Sequence, residues 1–394
     1  MNNKGNSLNI SCPINNRIGM NSNILVTDAN YKHSLGIIRS LGSKSLNVSC
    51  GSTYFNHLPI SFYSNYVKST FFYPNPQKYP KKFCSYLKKI MIKNKIDILI
   101  PVGYEVFFAI SNNIKIFEEY NLPIASTEAF QIAASKSATI SLANSLGIPG
   151  PQTIEIDSIE DLKKIKLDFP LVVKGIYGAG FVKYAYNFKE LEYYVKKIHD
   201  LQGVFPIVQE YVSGDGYGFF GLFNKGSPRA YFMHKRIREY PITGGPSTCA
   251  QSIYDKQLLS YGLKILQKLN WNGVAMVEFK KDNKNGDYKI MEINPKFWGS
   301  LDLAIASGVD FPYLFYEMIL NGDVKPHFSY KIGLKYMWPF PDDFNRVILN
   351  PLKIKSFVID LFDYKIKKNI EYNDIGPNLI QLNLTMNKLI KKLV

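Results

Sequence analysis

Glu278, Glu292 and Asn294 are oxygen-bearing side chains set inside two apolar segments, Val274-Ala275-Met276-Val277-Glu278-Phe279 and Tyr288-Lys289-Ile290-Met291-Glu292-Ile293-Asn294-Pro295. A polar run rich in Asn, Gly and Asp separates them, the pattern of two antiparallel strands joined by a turn. Carboxylates are rarely buried without a partner. Two of them with an amide carbonyl make a hard-oxygen set that suits Mg²⁺ beside phosphates. Glu292 and Asn294 are two apart and share a strand face. Glu278 joins them only if the hairpin is centred on Asn285, so that 278 faces 292 and 276 faces 294. This centring predicts an odd-length loop, because a two-residue Asn285-Gly286 turn would send Glu278 to the other face. Opposed carboxylates at ~5 Å and an effective dielectric of ~20 repel by roughly 3 kcal/mol. A bound divalent cation reverses that sign.

Cationic and glycine-rich segments precede this hairpin. Lys174 ends the apolar run Pro170-Leu171-Val172-Val173 and is followed by Gly175-Ile176-Tyr177-Gly178-Ala179-Gly180. Glycines let backbone N–H groups approach an anion, and the ammonium adds charge. Many strands end in Lys-Gly for purely structural reasons, and no GxxxxGK[ST] phosphate loop is present. Gln209-Glu210-Tyr211-Val212 runs into Gly214-Asp215-Gly216, a strand end whose backbone can read a flat purine edge or simply enter a loop. Arg236 and Arg238 alternate along an extended chain, so they are expected to project together from an Arg/Gly loop at 235–248. Their guanidinium forks suit carboxylate or phosphate oxygens.

The elements that must position these groups read as alternating strands and helices. Residues 1–22 read as a flexible leader. Strands at 23–28, 45–50 and 96–102 alternate with helices at 33–42, 83–95 and 104–120, predicting an open, doubly wound parallel α/β sheet over 23–125. A second unit, 126–325, opens with one helix from Ser126 or Thr127 to about Ser145, with Lys136 inside it and Gly147 and Pro149 as the stop. Strands at 152–156, 170–174 and 207–212, a helix at 188–201, a strand pair after Gly216, a helix at 255–269 and the carboxylate hairpin complete it. Residues 326–394 read as a small helical C-terminal extension.

The chain has 394 residues, 46% of them hydrophobic, which is enough for two or three domains with real cores. Its four cysteines are scattered, with no zinc spacing and no disulfide framework. With no signal-peptide h-region and no membrane-length apolar run, the expected location is the cytoplasm. The net charge of +16 is spread through the sequence rather than gathered into a stripe with interleaved aromatics, so no nucleic-acid partner is expected. The basic C-terminus offers at most a weak peripheral membrane contact.

Taken together, the segments VEF…MEINPKFWGSLDLAIASGVDFP, PLVVKGIYGAG, VQEYVSGDGYG and SKSATISLANSLGIPGPQT resemble the ATP-grasp superfamily, in particular its carboxylate–amine ligases, over roughly residues 24–325. The resemblance implies an ATP-grasp fold of two lobes clasping ATP, preceded by the α/β domain. It assigns Lys136, Lys174 and the loop glycines Gly178 and Gly180 to the nucleotide phosphates. Glu210 with the backbone of Tyr211 and Val212 would hold adenine, and Asp215 a ribose. Glu278, Glu292 and Asn294 would bind two Mg²⁺ ions, with Mn²⁺ as a substitute. Arg236, Arg238 and Lys296 would steady an acyl phosphate. The family usually has Arg where Lys296 stands, and lysine loses the bidentate fork. The implied reaction activates a small-molecule carboxylate with ATP, releases ADP and joins the acyl group to an amine. A nucleotide-binding scaffold without turnover is the alternative, with a biotin-dependent carboxylase component behind it. A homodimer is compatible with the resemblance.

Overall fold

The computed structural model describes residues 22–54, 58–176, 181–241 and 244–393. Residues 1–21 of the expected leader, and Gly178 and Gly180, lie outside the described residues. The N-terminal unit carries β1 (Asn23–Val26), α1 (Lys32–Gly42), β2 (Asn47–Ser52), β3 (Val67–Phe72), α2 (Pro80–Lys93), β4 (Ile98–Ile100) and α3 (Tyr104–Ser111). Its four strands pair in parallel in the order β3-β2-β1-β4. Ile24, Leu25, Val26, Ile98, Leu99 and Ile100 are fully buried, as strands covered by helices on both faces must be.

The expected helix to Ser145 is two helices, α4 (Thr127–Ala134) and α5 (Lys136–Ser145). Ser135 breaks them: its backbone is extended and its side chain caps α5 by accepting from the Ala138 N–H. Lys136 therefore occupies the first turn of α5 rather than a mid-helix position. Next come β5 (Thr153–Glu155), β6 (Leu171–Lys174), β7 (Val182–Ala185), α6 (Phe188–Gln202) and β8 (Ile207–Glu210). These strands form an antiparallel sheet in the order β5-β8-β6-β7, the smaller lobe.

The larger lobe adds β9 (Gly216–Asn224), β10 (Ser227–Glu239), β11 (Ser247–Ser252), α7 (Lys256–Lys268), β12 (Gly273–Lys281) and β13 (Tyr288–Asn294). It continues through α8 (Leu301–Ser307), α9 (Phe311–Asn321), β14 (Lys335–Met337), α10 (Phe344–Leu349), α11 (Ile354–Phe362), β15 (Ile366–Lys368) and α12 (Gly376–Leu393). Seven strands run in the order β13-β12-β9-β10-β11-β14-β15. The expected boundary near 325 thus falls inside a continuous sheet, since β14 pairs with β11 and carries β15 beside it. Phe219, Phe220, Phe223, Trp271, Phe279 and Trp298 are buried in one apolar core that reaches α1 and β1 of the N-terminal unit. Each such side chain stabilises the fold by roughly 1.5–3 kcal/mol, so the large sheet and the N-terminal unit form one platform. No single described helix is long and apolar enough to cross a membrane.

Candidate active site

The carboxylate hairpin has the expected pairing where it matters: Met276 faces Asn294 and Glu278 faces Glu292. The route to that register differs from the expectation. Asp282 N–H donates to the Asp287 carbonyl, leaving an even loop of four residues, 283–286. Such a loop gives Phe279↔Ile290 and Lys280↔Lys289, one residue out of step. A bulge between these pairs and Glu278↔Glu292, taken up at Met291, restores the face. The odd loop is therefore corrected to an even loop plus a bulge.

Asn294 Nδ2 donates to Glu278 Oε1 at 3.2 Å and to Glu292 Oε1 at 2.9 Å. The positive end of the amide dipole thus lies between two carboxylates, where a cation would be held, and turning the amide over presents its carbonyl oxygen to the same point. Among the described residues no group of three or more His, Cys, Asp or Glu side chains is arranged around a metal position. Two carboxylates and an amide oxygen fit a hard cation that keeps its remaining positions for water or phosphate.

Cations surround the pair. Burial raises the Glu278 carboxyl, while Arg236 holds it down and Glu292 pushes it up. Arg236 Nη2 donates to Glu278 Oε2 at 2.5 Å, and its Nη1 donates to the Gly245 carbonyl at 3.2 Å. Burial alone would raise Glu292 too, but Lys136, the Asn294 amide, Lys174 and Arg236 together hold it below its ordinary value. Burial lowers the Lys174 ammonium to about 8, against the pull of Glu292 and with Lys136 repelling it. Burial also lowers Lys296, opposed by Glu292, Glu278, Glu105 and Asp28. Lys136 reaches the pair because α4 and α5 pack on β13. Lys174 comes from the smaller lobe, and Arg236 and Lys296 from the larger. Four cations face two carboxylates, an imbalance that suits a polyanion.

Arg238 does not join them. A bulge at Ile237 breaks the alternation, because Arg236 pairs with Ala250 and Arg238 with Cys249. Arg238 instead donates Nε to Asp343 Oδ1 at 3.0 Å and pairs with Asp360. The expectation that both arginines project together is corrected, as is the loop at 235–248, whose first residues complete β10. Glu210 bonds Lys289 of β13 at 2.5 Å, tying the smaller lobe to the larger. Lys280 Nζ lies 5.4 Å from the Tyr211 ring centroid and donates to the Val212 carbonyl at 3.1 Å. Asp215 pairs with Lys235 at 2.7 Å on the surface. Gly214 holds this segment against the hairpin: its φ is +149°, and an added Cβ would lie 1.8 Å from the Lys281 carbonyl oxygen.

Sequence reasoning passed over the N-terminal contribution. Asp28 follows β1, accepts from Gly103 N–H at 2.7 Å and is raised to about 6 by burial. With Glu105, Tyr31 and Asn75 it lines a recess of about 140 Å³ at the carboxyl edge of the parallel sheet. His33 stacks on Tyr31 at 5.0 Å, and burial lowers its pKa, with Lys296 and Lys32 adding to the effect. The available signal was Asp28 itself, an acid at a strand's carboxyl end where open α/β sheets place ligands.

Two lobes, the smaller bringing Lys174 onto the paired acids of the larger, stand behind a parallel-sheet domain and enclose a site suited to a polyanion. A family model described as ATP-grasp in the biosynthetic pathway with Ter operon matches residues 229–338. L-amino acid ligase from Bacillus licheniformis superposes with a TM-score of 0.60 at 17% identity, over 78% of this chain and 78% of that one. Biotin carboxylase from Campylobacter jejuni, in a β,γ-ATP complex, gives 0.65 at 15% identity over 80% and 75%. N5-carboxyaminoimidazole synthetase from Staphylococcus aureus gives 0.63 at 15% over 86% and 88%. No curated protein sequence matches the chain. The chain thus has the ATP-grasp fold, and about a quarter of it, residues 229–338, matches an ATP-grasp family model.

Proposed function

We propose that the protein is an ATP-dependent carboxylate–amine ligase. The observation that carries this reading is the convergence of Glu278 and Glu292 with cations drawn from both lobes. Lys136 and Lys174, which act on Glu292, neutralise the nucleotide phosphates, and Arg236, bonded to Glu278, would steady a phosphorylated substrate together with Lys296. Mg²⁺ held by Glu278, Glu292 and the Asn294 carbonyl would offset charge between the β- and γ-oxygens. A carboxylate oxygen of the substrate attacks the γ-phosphorus, the bond to the β-phosphate oxygen breaks, and ADP leaves. An amine nitrogen then attacks the acyl carbon, phosphate departs and a proton is lost from nitrogen. The chain's contribution is alignment and charge neutralisation, with no nucleophilic side chain required. The recess beside Asp28 and Glu105 has the charge to receive a cationic amine. Support also comes from the likeness to an L-amino acid ligase, which shares the fold.

The test is ADP release with pools of amino acids and peptides, followed by mass spectrometry of the products. A new amide formed with one ADP per product supports the reading, and Glu292→Gln should abolish it while leaving the fold intact. Tight ATP binding without turnover across the panel would favour a regulatory scaffold instead.

A further inference from the structure

The segment from α10 to β15 presents apolar side chains that the rest of the molecule leaves uncovered. Leu352, Phe362 and Tyr364 are 89%, 80% and 86% exposed, and Ile354, Val358 and Ile359 are exposed beside them. Within α11, Ile354, Val358 and Phe362 follow an i, i+4, i+8 spacing, with Ile359 extending the same arc. Only Phe357 of this helix is buried, in a small core with Val347 and Ile366. On the inward side Asp360 pairs with Arg238. The helix is thus fixed in orientation with its greasy arc facing out, which is unusual for a patch with no function.

The charge around the arc identifies its occupant. Lys353, Lys355 and Lys365 are exposed on this segment, with Lys355 inside the arc itself. The acids are directed elsewhere: Asp360 turns to Arg238, and Asp363 is half-buried and accepts from the Lys365 N–H. A second copy of the chain docked through the same patch would bring these lysines against one another, and the whole protein carries +16. An anionic lipid surface meets both properties, since apolar side chains enter the headgroup boundary while flanking lysines, with long flexible stems, stay at the phosphates. We propose that this face docks the enzyme onto anionic bilayers, as an interfacial contact and not a span.

The full chain should be sedimented with vesicles of phosphatidylcholine alone and with about one third phosphatidylglycerol. It should pellet with the anionic vesicles, and the bound fraction should fall steeply with salt. Leu352→Ser/Phe362→Ser should lower binding at least about tenfold, and Lys353→Gln/Lys355→Gln/Lys365→Gln by a similar factor. Both variants should keep the wild-type thermal transition and ATP affinity. Failure to pellet with anionic vesicles, or equal pelleting of Leu352→Ser/Phe362→Ser, overturns the proposal. So does micromolar self-association in sedimentation velocity that Phe362→Ser abolishes, which would assign the face to a second copy.

Discussion

Arg236→Met is the sharpest probe of the site's electrostatics. Arg236 and Glu278 have side chains only 13% and 21% exposed and meet at 2.5 Å. Deleting the guanidinium leaves a buried carboxylate facing a second carboxylate, Glu292, without its nearest cation. Breaking a buried pair in this way costs about 3–5 kcal/mol, and loss of the bond to the Gly245 carbonyl adds about 1 kcal/mol. The effect must depend on pH. Burial already raises the Glu278 carboxyl, and removing Arg236 raises it further. A raised carboxyl binds its proton more tightly in the folded than in the unfolded chain, so stability falls as pH climbs from the ordinary value to the raised one. The deficit should be smallest within the ordinary carboxylate range and grow as pH rises above it, read by urea unfolding at a lower and a higher pH. Glu278→Gln in the same chain removes the stranded charge and should recover most of the loss. Mg²⁺ with ATP should narrow the gap as well. A deficit under about 1 kcal/mol at the higher pH, or no recovery in the double variant, would refute the coupling of Arg236 to the acid pair.

Three further outcomes are expected. ATP affinity, followed by calorimetry, should weaken as pH rises through about 8, because Lys174 loses its charge there while bound phosphate favours the ammonium; Lys174→Met should bind weakly at every pH and lose that slope. Arg238→Met should lower the unfolding midpoint by removing its pairs with Asp343 and Asp360 but leave the KM for ATP unchanged, whereas a large KM rise would return Arg238 to the site. Gly214→Ala should cost about 1–3 kcal/mol and loosen nucleotide binding, since both its φ and the Lys281 carbonyl forbid a methyl group. Wild-type affinity in that variant would show that the segment is free to move.

The local chemistry was written in the chain. Residues 278, 292 and 294 carry acid and amide groups at strand spacing, and period-two alternation marks which of them share a face whatever surrounds them. The α/β alternation of the first domain, the Ser126 cap and the lysine at the end of β6 were legible for the same reason, each depending on residues within a few positions of one another. The loop parity and the fate of Arg238 were not. Both turn on single-residue bulges, at Met291 and Ile237, that arise from how neighbouring strands must match across a seven-stranded sheet. Tertiary structure alone brought Lys136, Lys174, Arg236 and Lys296 around one acid pair, and Asp28 with Glu105 to its edge. Convergence across hundreds of residues is set by packing of whole lobes, whereas which atoms arrive there was decided residue by residue.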